Sequence, residues 1–99
     1  MAVFFVVQVE IPHQGDRAQY DEYIRRVKPI VESYGGRYLI RSEEVHPFGG
    51  EWSPDRIIVI QFESRSALDR CFASPEYRGV KLLRETSVIA RAVVVEQRL

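Results

Sequence analysis

Four segments of the chain alternate residue by residue, as β-strands do, and in each of them both alternating sets are largely apolar. The segments cover residues 3–11, 37–45, 56–63 and 88–96. A helical spacing of apolar residues lies between the first two, and shorter helical patterns separate the last two. The order strand, helix, strand, strand, helix, strand predicts an α+β domain of the ferredoxin-like βαββαβ type. Its four-stranded antiparallel sheet would carry helices on one face.

Residues that start and stop helices support this division. Asp16 with Gln19 resembles a capping box at the start of the first helix, and the Gly-Gly pair at 35–36 ends it. Ser64 is placed to cap a short second helix. The Ser-Pro-Glu-Tyr segment at 74–77 then starts a third, with an N-cap serine and a proline at the first helical position.

The alternation divides the sheet into two faces, and neither is polar enough for an ordinary solvated surface. The set predicted to lie under the helices is Val3, Phe5, Val7, Val9, Tyr38, Ile40, Ile58, Ile60, Phe62, Val88, Ala90, Ala92 and Val94. The opposite set is Phe4, Val6, Gln8, Leu39, Arg41, Ile57, Val59, Gln61, Ile89, Arg91, Val93 and Val95. A sheet face in water usually alternates to polar residues, and a large apolar patch marks an interface. The second set therefore predicts a homodimer formed through the sheet face.

Length and charge narrow the class of protein. With 99 residues, the chain is predicted to form one domain over residues 1–99. Its 14 basic residues are balanced by 14 acidic ones, which argues against a nucleic-acid partner. The lone Cys71 excludes an intrachain disulfide, and the apolar start lacks a basic leader and is too short to span a bilayer. We therefore expect a cytoplasmic protein without a membrane partner.

Three motifs resemble one family in order and spacing. They are Gly-Gly-Arg-Tyr-Leu-Ile-Arg at 35–41, Gly-Glu-Trp-Ser-Pro-Asp-Arg at 50–56 and Ser-Pro-Glu-Tyr at 74–77. Together they are similar to the uncharacterised bacterial family called domain of unknown function 1330, over nearly the whole chain. The resemblance implies a dimeric α/β barrel, in which two ferredoxin-like sheets face each other. That superfamily also holds cofactor-independent monooxygenases, muconolactone isomerases and heme-degrading enzymes, but the resemblance assigns no catalytic residue.

The predicted topology brings the ends of the first two strands and the starts of the last two to one edge of the sheet. The features expected to gather there are His13, His46, Glu51, Trp52, Arg56 and the turn at 74–77 with Tyr77. Trp52 and Tyr77 would form aromatic walls, Arg56 would bind an anion, and Glu51 or His46 would accept a proton. In the alternative interpretation Glu51 and Arg56 form a structural ion pair, and Trp52 plugs the end of the barrel.

A second candidate site is the polar minority of the face predicted to meet the partner. Its members are Gln8, Arg41, Gln61 and Arg91. Arg41 and Arg91 could bind an anionic ligand inside the barrel, or they could pair across the dimer with Glu43 or Glu63. The two histidines and the single cysteine lack a metal-ligand spacing, so neither a metal nor a cofactor is predicted.

Two hypotheses of different class follow. The first is a cofactor-independent enzyme, monooxygenase- or isomerase-like, that acts on a small aromatic or carbonyl metabolite in a pocket between sheet and helices. The second is a non-catalytic homodimeric module that binds a small ligand or a protein partner. An enclosed cavity with a polar triad such as Glu51, His46 and Arg56 would favour the enzyme.

Overall fold

A computed structural model describes residues 2–12 and 17–98. Its elements are β1 (Val3–Glu10), α1 (Arg17–Ser33), β2 (Arg37–Ser42), β3 (Arg56–Phe62), α2 (Arg65–Phe72), α3 (Pro75–Glu85) and β4 (Ile89–Glu96). The ferredoxin-like α+β fold predicted from the sequence is confirmed, although β2 ends three residues earlier than expected. The expected capping residue Asp16 and the candidate His13 lie outside the described residues. No helix in the described ranges is long and apolar enough to cross a membrane.

The four strands form one antiparallel sheet in the order β2-β3-β1-β4. At one end of the strands Val9 lies opposite Arg56, and at the other end Val3 lies opposite Phe62. We call these two ends of the sheet the Arg56 edge and the Phe62 edge. Because β1 pairs regularly on both sides, its two alternating sets stay on separate faces along the whole strand.

The helices cover one face of the sheet, with α1 and α3 antiparallel to each other. Near the Phe62 edge the Tyr34 hydroxyl donates to Glu76 at 3.1 Å, and at the other end Gln19 bonds the side chain of Thr86. The buried core beneath them is Val3, Val7, Val9, Tyr20, Tyr23, Val27, Val31, Ile60, Phe62, Ala67, Leu68, Cys71, Tyr77, Val80 and Val88. Burial raises the pKa of the Cys71 thiol to about 11, so the group is an unreactive part of this core.

Both predicted serine caps are present. The Ser64 side chain accepts a hydrogen bond from the Ala67 amide at 3.1 Å and starts α2. Ser74 does the same for the Tyr77 amide at 3.1 Å, and Pro75 follows at the first position of α3. This cap fixes the first turn of α3, so it also determines where the Tyr77 ring enters the core.

The Gly-Gly pair ends α1 for two different reasons. Gly35 has a φ of 86°, a left-handed conformation that favours glycine. Gly36 instead lies under the core, where an added Cβ would collide with the Val31 side chain and stand 3.0 Å from the Phe62 ring. The turn thus needs one glycine for its backbone angle and the other for the close approach of β2.

A bulge in β2 places two residues on the sheet face opposite to the predicted one. Tyr38 and Ile40 pair with successive residues of β3, so Leu39 is an extra residue between them. One extra residue reverses the alternation beyond it. Ile40, expected under the helices, is therefore 50% exposed on the other face. Arg41, expected on that other face, pairs opposite Ile58 on the helix side, with its guanidinium carbon 5.3 Å from the centre of the Tyr38 ring.

None of the three described helices covers the second face of the sheet, which we call the open face. Its members are Phe4, Val6, Gln8, Glu10, Arg37, Ile40, Ser42, Ile57, Val59, Gln61, Ile89, Arg91, Val93 and Val95. Four of the apolar members, Ile40, Ile89, Val93 and Val95, have exposed fractions between 47% and 59%. The face is largely apolar, as the alternation predicts, and in the single chain it is open to solvent.

Candidate functional site

A cavity of about 280 Å³ lies between the helices and the sheet. Its lining is mostly apolar and aromatic, and consists of Phe5, Val7, Val9, Tyr20, Tyr23, Val27, Val31, Tyr38, Ile58, Ile60, Phe72, Tyr77, Arg84, Ala90 and Ala92. The space exists partly because β4 presents only the small side chains of Ala90 and Ala92 opposite Val9 and Val7 of β1. Ala92 is exposed, so the cavity reaches solvent beside the edge strand β4.

Three polar groups meet in this lining. The hydroxyls of Tyr23 on α1 and Tyr77 on α3 are 3.1 Å apart, and Arg84 Nε donates to the Tyr77 hydroxyl at 3.3 Å. Tyr77 and Arg84 are seven residues apart, two turns of α3, and therefore lie on the same side of the helix. Arg84 Nε and the two hydroxyls supply three hydrogens, and these two contacts use two of them. One hydroxyl hydrogen thus has no acceptor among the described residues.

The tyrosines of the cavity are hydrogen-bond donors rather than bases. Burial, with the neighbouring Tyr77 phenol, raises the pKa of Tyr23 far above its usual range. Burial also raises the pKa of Tyr38 to about 12. Both phenols are therefore neutral at physiological pH, and the described lining contains neither a carboxylate nor an imidazole. This arrangement can bind and polarise an oxygen atom of a ligand.

The predicted pairing of Glu51 with Arg56 is wrong, because Arg56 pairs with Glu43. Arg56 is 7% exposed, and its Nη1 donates to Glu43 Oε2 at 3.2 Å. Arg17 binds both oxygens of the same carboxylate, at 2.8 and 2.6 Å. The hydrogen bonds from Arg17, followed by the charge of Arg56, lower the pKa of Glu43. Arg56 Nε is buried without a hydrogen-bond partner, so this cluster ties α1 to two strands at some cost in desolvation.

Trp52 lies on the open face, on the other side of the sheet from Arg56. Its indole N–H donates to the side chain of Gln8, and the residue is 58% exposed. Together they border a wide depression of about 560 Å³, which Glu51 and Arg91 also line. A single ligand that stacks on Trp52 and bonds Arg56 is incompatible with this arrangement.

Arg91 has a partner within its own chain. Its Nη1 lies 3.7 Å from Glu10 Oε1, and both residues are exposed or half-buried on the open face. The cross-dimer partners expected from the sequence were Glu43 and Glu63, but Glu43 is bound by two arginines on the helix side. The pairing with Glu10 weakens the positive charge that Arg91 would offer a ligand.

The turn at 74–77 does not join the loop residues at the Arg56 edge. Strand β3 runs from the Arg56 edge to the Phe62 edge, and both following helices start from there. The contact of Glu76 with Tyr34, near the end of α1, confirms this position. Tyr77 thus lines the cavity without Glu51, Trp52 or His46, and His46 is exposed in the loop between β2 and β3. The described residues contain no group of three side chains suited to hold a metal ion.

Tyr23 and Arg84 are the cavity residues that the sequence interpretation missed. The ring of Tyr23 lies on the apolar side of α1, which helical spacing predicts, but its hydroxyl meets Tyr77. Arg84 lies near the end of α3, and no motif of the sequence includes it. The available signal was the spacing of Tyr77 and Arg84, which puts a cation on the buried side of an amphipathic helix.

Solved structures share this fold. A protein of unknown function from Rhodopseudomonas palustris has a TM-score of 0.83 at 18% identity, over 99% of this chain and 83% of that one. A dimeric ferredoxin-like protein of unknown function from Jannaschia sp. CCS1 has a TM-score of 0.81 at 12% identity, over 98% of this chain and 100% of that one. SnoaB, a cofactor-independent oxygenase from Streptomyces nogalater, has a TM-score of 0.72 at 12% identity, over 99% and 94%.

At these identities the likeness establishes the fold and no more. No curated protein matches the sequence significantly. The model of one family, described as Domain of unknown function (DUF1330), matches residues 2–98. That match covers all the strands and helices described above, together with the three motifs on which the resemblance was based. The chain therefore belongs to the family Domain of unknown function (DUF1330).

Proposed function

We propose that this protein is a small enzyme without a bound cofactor, monooxygenase- or isomerase-like, that acts on an aromatic or carbonyl compound held between helices and sheet. The observation that carries this proposal is the hydroxyl pair of Tyr23 and Tyr77, with one unused hydrogen, in a mostly apolar and aromatic cavity of about 280 Å³. Small-molecule pockets span roughly 300–1,000 Å³, so a compound of one or two rings matches this cavity.

The polar cluster gives the bound compound one orientation. Arg84 donates to Tyr77, and the tyrosine pair then has one hydrogen to donate to an oxygen of the ligand. A chain of donors strengthens its last member, because each hydrogen bond polarises the next. A fixed donor in this mostly aromatic lining stabilises negative charge on that oxygen more strongly than bulk solvent would. Charge that develops on a carbonyl or phenol oxygen is the feature common to enolisation and to the activation of a ring carbon.

SnoaB supports the enzymatic interpretation, since a protein of similar fold is a cofactor-independent oxygenase. A second candidate, a non-catalytic binding module, is favoured by the absence of a carboxylate or imidazole from the described lining. The two differ in what happens to a bound compound. Incubation with each compound that binds, followed by mass spectrometry, separates turnover from binding alone.

The cavity is tested by filling it. Ala90 lies on β4 opposite Val9 and lines the cavity, so Ala90→Leu should occupy part of the space that a ligand needs. We expect it to weaken binding of a panel of nitrophenols and aromatic ketones, measured by ligand-detected NMR, by about tenfold, or about 1.4 kcal/mol. Ala18→Leu, at an exposed position of α1, is the matched control and should leave binding unchanged. A panel that does not bind, or that binds Ala90→Leu as well as the wild type, would exclude the cavity as the site.

The open face supports a second part of the proposal, that two copies pair through their sheets. The exposed apolar residues of this face lie on the two outer strands, β2 and β4, and include Ile40, Ile89 and Val93. The half-buried Val6 and Val59 connect them across β1 and β3. A contiguous patch of this kind is typical of an interface, and a second copy presents the same patch. The similar Jannaschia protein is dimeric, which is consistent with this pairing. Trp52 stands on the same face and would report the association.

A further inference from the structure

We infer that the cavity selects the ionised form of its ligand, an aromatic or enolic monoanion, and that Arg84 supplies the counter-charge. The inference rests on the proposed function, since it concerns the compound held in the same cavity. It goes further in assigning the charge state of that compound and the residue that determines it.

Arg84 differs from the other partly buried arginine of the helix side. Arg56 is paired with a carboxylate, whereas none of the ion pairs formed by the described residues includes Arg84. Among the described residues, the one hydrogen bond that the Arg84 guanidinium makes is to the hydroxyl of Tyr77 at 3.3 Å. A half-buried guanidinium without an anion is unfavourable, and an anionic ligand in the cavity that it lines would remove that cost.

The groups around Arg84 do not supply the missing negative charge. They are Tyr77 and Glu85 on its own helix and Tyr23 on α1. The two tyrosines contribute hydroxyl groups, which act through the hydrogen bonds described above. Glu85 is exposed, and its carboxylate lies 3.9 Å from the Lys81 ammonium, so its charge is already shared with a cation in solvent. The field inside the cavity is consequently positive at its polar end.

The residues that line the cavity indicate a ligand that loses its proton in solution, without a base supplied by the protein. A carbon acid of ordinary strength needs a resident base, and the described lining offers only phenols and a guanidinium. A phenol or an enolised dicarbonyl gives its proton to bulk water before it binds. The oxyanion then accepts the unused hydroxyl hydrogen of the tyrosine pair and lies near the guanidinium. The same chemistry suits an aromatic carboxylate, which is a separate arm of the test.

The experiment uses 4-nitrophenol, whose phenol and phenolate absorb differently, with 4-nitroanisole as the ether that cannot ionise and 4-nitrobenzoate as the carboxylate. An opposite charge within hydrogen-bonding range lowers the pKa of an acid by about 1–3 units. We therefore expect the apparent pKa of bound 4-nitrophenol to fall by about one unit, which is a tenfold preference for the phenolate. Arg84→Met should abolish this preference while 4-nitroanisole still binds with unchanged affinity. Arg84→Lys should restore part of it, and Arg78→Met, an exposed arginine of α3, should have no effect.

The possible results distinguish the inference about the charge of the ligand from the proposed function of the cavity, on which it rests. If 4-nitroanisole binds as well as the phenolate, or if Arg84→Met keeps the preference, the inference is wrong and the cavity remains a binding site. If none of the three compounds binds to the wild type, both are wrong. Tight binding of 4-nitrobenzoate with weak binding of 4-nitrophenolate would overturn the assignment to phenols and enols. The wild-type titration needs no variant, so the result does not depend on whether Arg84→Met folds.

Discussion

The hydroxyl pair of the cavity makes an unequal prediction for two substitutions that remove the same atom. Tyr23 has one polar partner, Tyr77, whereas Tyr77 has two, Tyr23 and Arg84. In Tyr23→Phe the Tyr77 hydroxyl keeps its contact with Arg84, so the loss is that of one ordinary hydrogen bond, about 0.5–1.5 kcal/mol. In Tyr77→Phe the Tyr23 hydroxyl is left buried without a partner, which adds a desolvation penalty of about 1–3 kcal/mol. We expect Tyr77→Phe to destabilise the protein by about 1.5–4.5 kcal/mol, roughly three times as much as Tyr23→Phe.

The assay is urea unfolding followed by circular dichroism, at one fixed protein concentration because association would add to the apparent stability. Tyr34→Phe is the matched control, since Tyr34 makes a peripheral bond to Glu76 and should change the free energy of unfolding by less than about 0.5 kcal/mol. The double variant of Tyr23 and Tyr77 leaves neither hydroxyl, so it should be no less stable than Tyr77→Phe alone. Equal losses in the two single variants, or losses that simply add in the double variant, would refute this account of the cluster.

Four further predictions test the rest of the structure. Val59→Glu puts a carboxylate on the open face and should give a folded monomer or an unfolded chain in analytical ultracentrifugation. A wild-type protein that is monomeric at micromolar concentration would contradict the proposed dimer. Glu43→Gln should lose stability relative to the wild type above the ordinary glutamate pKa of about 4.3. Because the folded pKa is lowered, thermal melts should show this difference vanishing as pH falls through the folded value. Gly36→Ala should lower the melting temperature, because its Cβ would meet Val31 and Phe62, while a neutral result would contradict the close approach of β2. Ser74→Ala removes the cap of α3 at a site only 4% exposed and should cost about 0.5–2 kcal/mol in urea unfolding; an unchanged midpoint would exclude the capping role.

The elements of the fold could be predicted because their signals are local. The caps at Ser64 and Ser74 act on amides only three residues away, and the strand pattern repeats every two residues. The bulge at Leu39 could not be predicted in this way. Both faces of β2 accept an apolar residue, so an extra Leu39 leaves the alternation looking intact while the true face of Arg41 is reversed.

The candidate site is harder to predict from the sequence, because it depends on which end of a strand or helix a residue occupies. The motif at 50–56 holds both Trp52 and Arg56, but Trp52 lies in the loop before β3, whereas Arg56 is the first residue of β3. The two side chains lie on opposite faces of the sheet. The sequence predicts Tyr77 at the Arg56 edge. It lies near the Phe62 edge instead, because the helices after β3 start where that strand ends. The carboxylate that pairs with Arg56 could not be predicted from distance along the sequence either. Glu51 is nearer to Arg56 in sequence, but Glu43 at the end of β2 is the carboxylate that lies beside it in space.

The cavity explains why aromatic residues with polar ends occupy positions that an ordinary core would fill with aliphatic ones. Tyr20, Tyr23 and Tyr77 each bury a ring in the lining, and a leucine at any of them would bury apolar surface without the need to satisfy a hydroxyl. Opposite them, β4 offers alanines where larger side chains would close the gap. The small residues of β4 leave space unfilled and the tyrosine hydroxyls need partners in the core, so stability alone does not account for this lining. The proposed ligand would fill the space and accept the hydroxyl hydrogen.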